Sequence, residues 1–191
     1  MPNTLLHCCC APCSVRCIED LRGEAIEPTA YWYNPTIHPY QEYKARRDTL
    51  IDYAPTIHMA LIVDEDYGLR PFVRAVANDI DHRCRYCYAC RLDRTARYAA
   101  ENGFDSFSTT LLISPYQDHD LIRTLGESAA KKYGIPFLYR DFRPGFWDGH
   151  EKAKALGFYM QKYCGCIFSE EERYSKAIAR DQRRTMVHFS D

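Results

Sequence analysis

Residues 4–23, "TLLHCCCAPCSVRCIEDLRG", carry the clearest signal of the fold class. The stretch begins with a short apolar run, passes through a turn that contains a proline, and continues with helical apolar spacing up to Gly23. The next segment, "IEPTAYWY" (26–33), has the aromatic and β-branched content of a strand. Together the segments predict a β-α-β unit, in which two parallel strands lie side by side.

The same alternation continues along the chain. Segments 57–64, 104–112 and 136–142 predict three further strands, and amphipathic helices are predicted between them. We therefore expect a single α/β domain over residues 1–191. Its sheet should be five-stranded, parallel and doubly wound, in the order 3-2-1-4-5, with an added C-terminal helix. Such sheets bind ligands beyond the carboxyl ends of their strands, between strands 1 and 4.

The composition is that of an ordinary globular protein. Hydrophobic residues make up 46% and charged residues 27% of the 191 residues. We expect no membrane association, because no apolar run reaches the length of a span, and a cytoplasmic location, because the N-terminus shows no secretory leader. The net charge of -1 argues against a polycationic nucleic-acid binder, although local basic patches remain available.

Nine of the ten cysteines fall into three short motifs. These are "HCCCAPC", "RCRYCYACRL" and "YCGC", which hold Cys8, Cys9, Cys10, Cys13, Cys84, Cys87, Cys90, Cys164 and Cys166. In a reducing compartment such clusters indicate metal binding or catalysis rather than disulfides. One CxxC pair fits a redox dithiol and four thiolates fit a structural zinc, whereas a larger soft donor set also suits an iron–sulfur cluster. Cys17 stands apart and is expected in the core, and Cys8 faces either the core or the site.

Six segments resemble one known family. They are "LLHCCCAPC", "YNPTIHPYQEY", "RCRYCYACRL", "TTLLISPYQDH", "YRDFRPGF" and "YCGCIFSEEER", in this order from about residue 4 to residue 174. The chain is similar to the QueH type of epoxyqueuosine reductase. The resemblance implies reduction of the epoxide of epoxyqueuosine at the tRNA wobble position to give queuosine, the last step of queuosine biosynthesis. It also implies a fold like that of the adenine nucleotide α-hydrolases (HUP-like).

The resemblance further implies cofactors and partners. The expected cofactors are a [4Fe–4S] cluster and an adjacent mononuclear metal, iron or zinc. The expected partners are the tRNA and an unidentified electron donor, with no requirement for ATP. The matching positions for cluster ligands are Cys9, Cys10, Cys84, Cys87, Cys164 and Cys166, and Cys13 joins them in the metal set. The family often has other residues at Cys8 and Cys90, so the resemblance assigns neither a role.

Other site residues follow from their predicted places near strand ends and metal loops. Asp141, at the end of the predicted fifth strand, is the expected carboxylate ligand, with Asp118 as its rival and an ion pair with Arg140 or Arg143 as the alternative. The candidate proton donors are Tyr116, His119 and Tyr163, with Tyr139 as a further one. The candidate substrate-binding residues are His38, Arg83, Arg85, Arg91 and Arg143.

Two other functions compete with the reductase. An iron–sulfur enzyme that thiolates tRNA with ATP would need a glycine-rich phosphate loop after strand 1, where this chain has "CCCAPCS". A zinc-stabilised RNA-binding module would need only four thiolates, which leaves the other cysteine motifs unexplained.

Overall fold

A parallel four-stranded sheet forms the centre of the domain. The computed structural model of the chain describes residues 2–187. The strands are β1 (Asn3–His7), β2 (Glu27–Trp32), β3 (Leu61–Val63) and β4 (Ser106–Thr109), in the order β3-β2-β1-β4. Leu5 of β1 pairs with Thr29 of β2 on one side and with Phe107 of β4 on the other. The predicted parallel α/β fold and the order of its first four strands are confirmed.

The predicted fifth strand is wrong. In segment 136–142 the structure has only one isolated bridge, between Phe107 and Phe137. Phe107 N–H donates to the Pro136 carbonyl and Leu138 N–H donates to the Phe107 carbonyl. Tyr139 N–H then donates to the carbonyl of Phe137, so the chain turns away from the edge of β4 after one bridge. The order is therefore 3-2-1-4.

Seven α-helices surround the sheet in the described part of the chain. They are α1 (Ala11–Gly23), α2 (Tyr40–Thr56), α3 (Leu69–Val76), α4 (Arg83–Glu101), α5 (His119–Tyr133), α6 (Phe146–Ala155) and α7 (Ile167–Val187). Helix α7 is the predicted C-terminal helix. No helix that the structure describes is both long and apolar enough to span a lipid bilayer.

The strand ends are held by a buried polar network at His7. Its Nδ1 lies 2.9 Å from Thr109 Oγ1 at the end of β4, and its Nε2–H donates to Asn34 Oδ1 at 3.2 Å in the loop after β2. Asn34 Nδ2 donates in turn to the Cys8 carbonyl at 2.9 Å. Burial lowers the pKa of His7 to about 4, so this imidazole is neutral at neutral pH. The network fixes the carboxyl edge where the cysteine motif begins.

Candidate metal centre and substrate cavity

Three thiols meet at the start of α1. The Sγ atoms of Cys9, Cys10 and Cys13, here called the thiol triad, all lie within 4.8 Å of one another. Cys10 is the N-cap residue of α1, and Cys13 lies in the first turn, so the helix directs the sulfurs toward one point. The positive end of a helix dipole also favours thiolates over thiols. The triad therefore has the spacing to hold a metal ion through sulfur.

One member of the triad is set up to carry the negative charge. Cys9 accepts hydrogen bonds from Cys10, Cys13 and Thr110, which hold the pKa of its thiol well below the usual range. Burial raises the pKa of Cys10. The hydrogen bonds that Cys13 donates to Cys10 and Cys9 raise the pKa of Cys13. Among the three sulfurs, Cys9 therefore gives up its proton most readily, and Cys10 and Cys13 keep more tightly bound protons. A metal ion would displace them.

Four further cysteines form a second group. Cys84 and Cys87 lie in the first turns of α4, and Cys164 and Cys166 lie in the YCGC loop, residues 163–166. Partial desolvation raises the pKa of Cys84, and negative charge on Cys164 or Cys166 would raise it further. Among the residues that the structure describes, only the thiol triad meets the spacing of a metal site.

A buried arginine lies between the two groups. Arg91 of α4 is 4% exposed, and its Nε and Nη2 donate to Thr36 Oγ1 at 3.1 and 2.6 Å. No carboxylate pairs with it in the part of the chain that the structure describes. Burial disfavours its charge, whereas negative charge on the sulfurs of Cys87, Cys90 and Cys9 raises its pKa. Because an unpaired buried cation is costly, thiolate charge is the partner that this guanidinium requires.

A second buried arginine holds the YCGC loop. Arg46 of α2 is 2% exposed and lies 2.6 Å from Glu42 Oε1. Its Nη1 and Nη2 donate to the carbonyls of Cys164 and Tyr163 at 2.9 and 2.8 Å. Tyr159 donates from its hydroxyl to the other Glu42 oxygen. The ion pair within α2 thus sets the position of the loop that carries Cys164.

Backbone contacts complete this attachment. His38 N–H donates to the Gly165 carbonyl at 2.7 Å, and the Tyr163 hydroxyl donates to the His38 carbonyl at 2.8 Å. Gly165 has a φ of 149°, which side-chain-bearing residues rarely adopt, and a Cβ there would lie 3.3 Å from Arg46 Nη1. Gly165, between Cys164 and Cys166, is therefore needed for the backbone of the YCGC loop to lie close to Arg46.

A cavity of about 390 Å³ opens beside the triad, and is called the thiol cavity below. Cys9, Cys13 and Cys164 contribute to its wall, with Arg46 and Arg91 beside them. Gln161 donates from Nε2 to Cys13 Sγ at 3.6 Å, and Gln117 donates from Nε2 to Cys164 Sγ at 3.3 Å. Cys164 of the second cysteine group therefore shares the wall of this cavity with two members of the thiol triad.

The structure separates the four candidate proton donors, of which Tyr139 does not line the thiol cavity. Tyr116 lines the thiol cavity, is 79% exposed, and has no hydrogen bond from its hydroxyl within the described residues. Tyr163 also lines the cavity, but its hydroxyl is bonded to His38. His119 is buried, and its Nε2 is bonded to the Ser114 carbonyl at 3.1 Å outside the cavity wall.

His38 is a packing residue in this structure. It is fully buried, its Nε2–H donates to the Pro35 carbonyl at 3.2 Å, and its ring lies against Tyr67 and Phe72. It does not line the thiol cavity. Burial lowers the pKa of His38 to about 4. The structure therefore places the His38 side chain in the packed interior and not at the substrate cavity, where the sequence predicts it.

The structure does not bring Asp141 to the thiols. Its carboxylate accepts bonds from Nε and Nη2 of Arg143, both at 2.7 Å, and this guanidinium holds the pKa of Asp141 below its usual range. Asp141 lines a separate concavity with Arg140 and Glu24. Because segment 136–142 leaves the sheet, its carboxyl end does not reach the edge near the triad. The alternative, an ion pair with Arg143, forms instead. The guanidinium of Arg143, a predicted substrate contact, is therefore already engaged by a carboxylate.

The remaining predicted residues have distinct places. Asp118 caps α5, since its Oδ1 accepts from Leu121 N–H at 3.0 Å. Arg83 donates to both carboxylate oxygens of Glu172. Arg85 is exposed and has no ion-pair partner among the described residues.

The three cysteines that are not among the predicted metal ligands have different surroundings. Cys8 is buried and donates to the Leu6 carbonyl at 3.3 Å, so its thiol belongs to the core rather than the cavity. Cys17 is fully buried in the core, as the sequence predicts. Cys90 is half-buried, and its thiol is bonded to the Cys87 carbonyl at 3.4 Å.

Comparisons with known proteins agree on one family. The family model described as epoxyqueuosine reductase QueH matches residues 4–172. The relative of that name from Dehalococcoides mccartyi is 37% identical over 175 residues, 92% of this chain and 96% of the relative. The one from Thermotoga maritima is 36% identical over 197 residues, 96% of this chain and 98% of the relative.

A solved structure has a similar fold. It is the crystal structure of a predicted subunit of tRNA methyltransferase from Methanocaldococcus jannaschii, which superposes with a TM-score of 0.53. The match covers 81% of this chain and 75% of that one at 15% sequence identity. At this identity the likeness concerns the fold alone.

The Arg46–Glu42 pair gives a first prediction. Replacing Arg46 by Gln leaves the Glu42 carboxylate buried without its cation, so we expect a loss of about 3–5 kcal/mol in the free energy of unfolding. The measurement is urea denaturation of the apoprotein. The matched control is Lys44→Gln on the same helix, which removes an exposed pair with Asp48 and should cost about 0–1 kcal/mol. Equal losses in the two variants would contradict the structural role of Arg46.

Proposed function

The chain belongs to the QueH family of epoxyqueuosine reductases, and on that premise we propose that it reduces epoxyqueuosine in tRNA to queuosine. This is the last step of queuosine biosynthesis, and tRNA modification makes the cytoplasm the proposed place of action. The observation that carries the proposal is the thiol cavity, whose wall joins Cys9 and Cys13 of the triad to Cys164 of the YCGC loop. A substrate bound there touches the sulfur-rich part of the molecule.

The donor set fits the cofactors of such a reaction. Sulfur ligands at the spacing of the triad suit iron–sulfur clusters and zinc rather than hard cations such as magnesium. Seven thiols exceed the four that one [4Fe–4S] cluster uses, so we infer a cluster together with a mononuclear iron or zinc ion. The residues that would hold them are Cys9, Cys10, Cys13, Cys84, Cys87, Cys164 and Cys166. When bound, the cluster supplies electrons and the single ion polarises the epoxide oxygen.

The reaction has a fixed balance. Removal of the epoxide oxygen breaks two C–O bonds, forms one C=C bond, and consumes two electrons and two protons to release water. The electrons come from an external donor protein or chemical reductant. The chain itself must supply protons and must stabilise negative charge on oxygen. No phosphate chemistry enters this balance, and we propose that the reaction uses no ATP.

Two cavity residues serve these needs. Arg91 places a buried positive charge in the cavity wall, where it stabilises thiolate ligands and the developing alkoxide. Among the four candidate donors, Tyr116 is the one that lines the cavity and has a hydroxyl without a hydrogen bond in the described structure, so we assign the proton donation to it. Tyr163 and His119 act instead in positioning their loops.

The exposed Arg85 is the proposed contact for tRNA phosphate. It follows Cys84 in α4 and its guanidinium is not engaged by a carboxylate of the described chain. A phosphate contact of this kind contributes affinity without sequence information. Arg83 and Arg143 are already paired with Glu172 and Asp141, so they contribute less to such binding.

The central prediction concerns turnover. Anaerobically reconstituted protein, supplied with a chemical reductant and tRNA that contains epoxyqueuosine, should yield queuosine, detected by nucleoside mass spectrometry as the loss of one oxygen. Cys13→Ser should lower both the yield and the iron absorbance by more than about tenfold, because even outer-shell partners of a metal site are worth about 10–100-fold. Cys17→Ala, in the core of the same helix, should retain both. Absence of queuosine with a fully loaded wild-type protein would contradict the proposed function.

A further prediction tests Tyr116. Replacing it by Phe removes the hydroxyl and keeps the ring, so we expect single-turnover rates to fall by about 10²-fold, the scale of general acid catalysis, with unchanged tRNA affinity. Tyr40→Phe is the control, since Tyr40 is half exposed and lies outside the thiol cavity. A Tyr116→Phe rate within about twofold of the wild-type rate would remove Tyr116 as the proton donor.

A further inference from the structure

Three rings at the beginning of α6 form a group at the opening of the thiol cavity. Phe146, Trp147 and His150, here called the aromatic rim, all line the cavity. Phe146 packs edge-on against Trp147 with ring centroids 5.0 Å apart, and its ring lies nearly parallel to that of His150 at 6.2 Å. Trp147 is nevertheless 64% exposed. The rim therefore presents a large aromatic surface to whatever enters the cavity.

The packing of α6 against α1 explains why these rings point to the cavity. Gly145 and Gly149 face Arg16 of α1, and Cβ atoms there would lie 2.4 Å from Arg16 Cγ and 3.0 Å from Arg16 Cβ. The next small residue at this spacing, Ala153, is fully buried. One side of α6 is thus committed to close contact with α1. The rim residues occupy other positions on the same turns of α6. The contact between α6 and α1 therefore holds the rim near the helix that carries Cys13.

The charges around the rim are compatible with a polyanion. Asp148, next to Trp147, is neutralised by Arg16 at 3.2 Å and Lys152 at 3.0 Å. Lys162 lines the cavity, is exposed, and has no carboxylate partner in the described chain. A phosphate beside Trp147 would therefore find the unpaired ammonium group of Lys162 in the same cavity wall. It would meet no unpaired carboxylate on this turn of α6.

We propose that the aromatic rim, with Trp147 as its main surface, is a stacking site for an unpaired nucleobase next to the nucleotide that enters the thiol cavity. The inference rests on the proposed function, because that function brings an RNA loop to this opening. An enzyme that acts on a base within a polynucleotide must take that nucleotide out of its stack, which leaves the neighbouring base without a partner. Aromatic side chains receive such bases with little preference for sequence.

The cavity dimensions support a separate site for the neighbour. A volume of about 390 Å³ lies at the small end of the range of small-molecule sites, so it suits one nucleoside rather than a dinucleotide. A base adjacent to the bound nucleotide must therefore remain at the opening, where Trp147 is exposed. A folded protein partner would need a wider apolar surface than these three rings provide.

Tryptophan fluorescence tests the proposal directly. The chain contains two tryptophans, and Trp32 is fully buried with its Nε1–H donated to Tyr43 at 3.1 Å, so Trp147 is the one that a ligand can reach. Titration of the holoprotein with an unmodified anticodon stem-loop RNA should quench Trp147. A fully paired RNA duplex of matched length, which offers no unstacked base, should quench much less at the same ionic strength.

Variants separate stacking from other causes of binding. Anisotropy of a labelled stem-loop should show roughly tenfold weaker binding for Trp147→Ala, on the scale of one base–aromatic stack, and less than about threefold weaker binding for Trp147→Phe. The control is Leu156→Ala, an exposed apolar residue just after α6 that does not line the cavity. Wild-type affinity in Trp147→Ala, or fluorescence unchanged by saturating RNA, would overturn the proposal.

This test is independent of turnover. It uses unmodified RNA and no reductant, so a protein that binds and quenches but forms no queuosine would contradict the proposed reductase and leave the stacking site intact. A protein that forms queuosine while Trp147→Ala binds RNA normally would contradict the stacking site alone.

Discussion

The thiols are concentrated in a region that is shielded from water, and the surrounding charges and helix ends are arranged around them. Burial alone raises the pKa of a thiol, as it does for Cys87 and Cys8, which reach about 12. A sulfur-ligated metal needs the opposite, because only thiolates bind. Nearby positive charge offsets this effect of burial and favours the thiolate form. It comes from the N-terminus of α1, where the thiol triad lies, and from the buried guanidinium groups of Arg46 and Arg91. Arg91 has no carboxylate partner in the described chain and is costly without these thiolates, so this cation and the thiolates account for each other.

The fold supplies this corner at the carboxyl edge of the sheet. In a doubly wound fold the turn after β1 commonly holds a phosphate at a helix N-terminus. Here that turn holds Cys9 and Cys10, and the same helix dipole acts on sulfur. The network of His7, Asn34 and Thr109 fixes the strand ends around the turn. Since His7 is uncharged at neutral pH, it adds no further positive charge to the centre.

The sequence predicted the parts of the fold and site that depend on local pattern. The β1–α1–β2 unit, the strand order up to β4 and the three cysteine motifs follow from apolar periodicity and spacing. The fifth strand fails because the apolar run 136–142 matches strand composition, but whether it pairs depends on a turn at Tyr139 that composition does not reveal. Asp141 loses its predicted place for the same reason, because its position was inferred from that strand.

The buried Arg46–Glu42 pair was missed for a different physical reason. A Glu and an Arg four residues apart on a helix are usually a solvated surface pair, and the sequence reads the same in both cases. What distinguishes this pair is the loop of residues 159–166 that covers it, and that contact spans more than a hundred residues of chain. The only local sign is Gly165, whose missing side chain lets the loop backbone approach the guanidinium.

One helix connects the thiol triad to the aromatic rim. Helix α1 carries Cys13 in its first turn, and one turn later Arg16 receives Gly145 and Gly149 of α6. The distance between the thiol triad and the aromatic rim is therefore set by the packing of two helices rather than by a loop. A rigid spacing of this kind suits a substrate in which the reacting group and the neighbouring base are joined through one backbone. Side chains larger than glycine at these contacts would move the rim away from the thiols without altering any residue that touches the substrate.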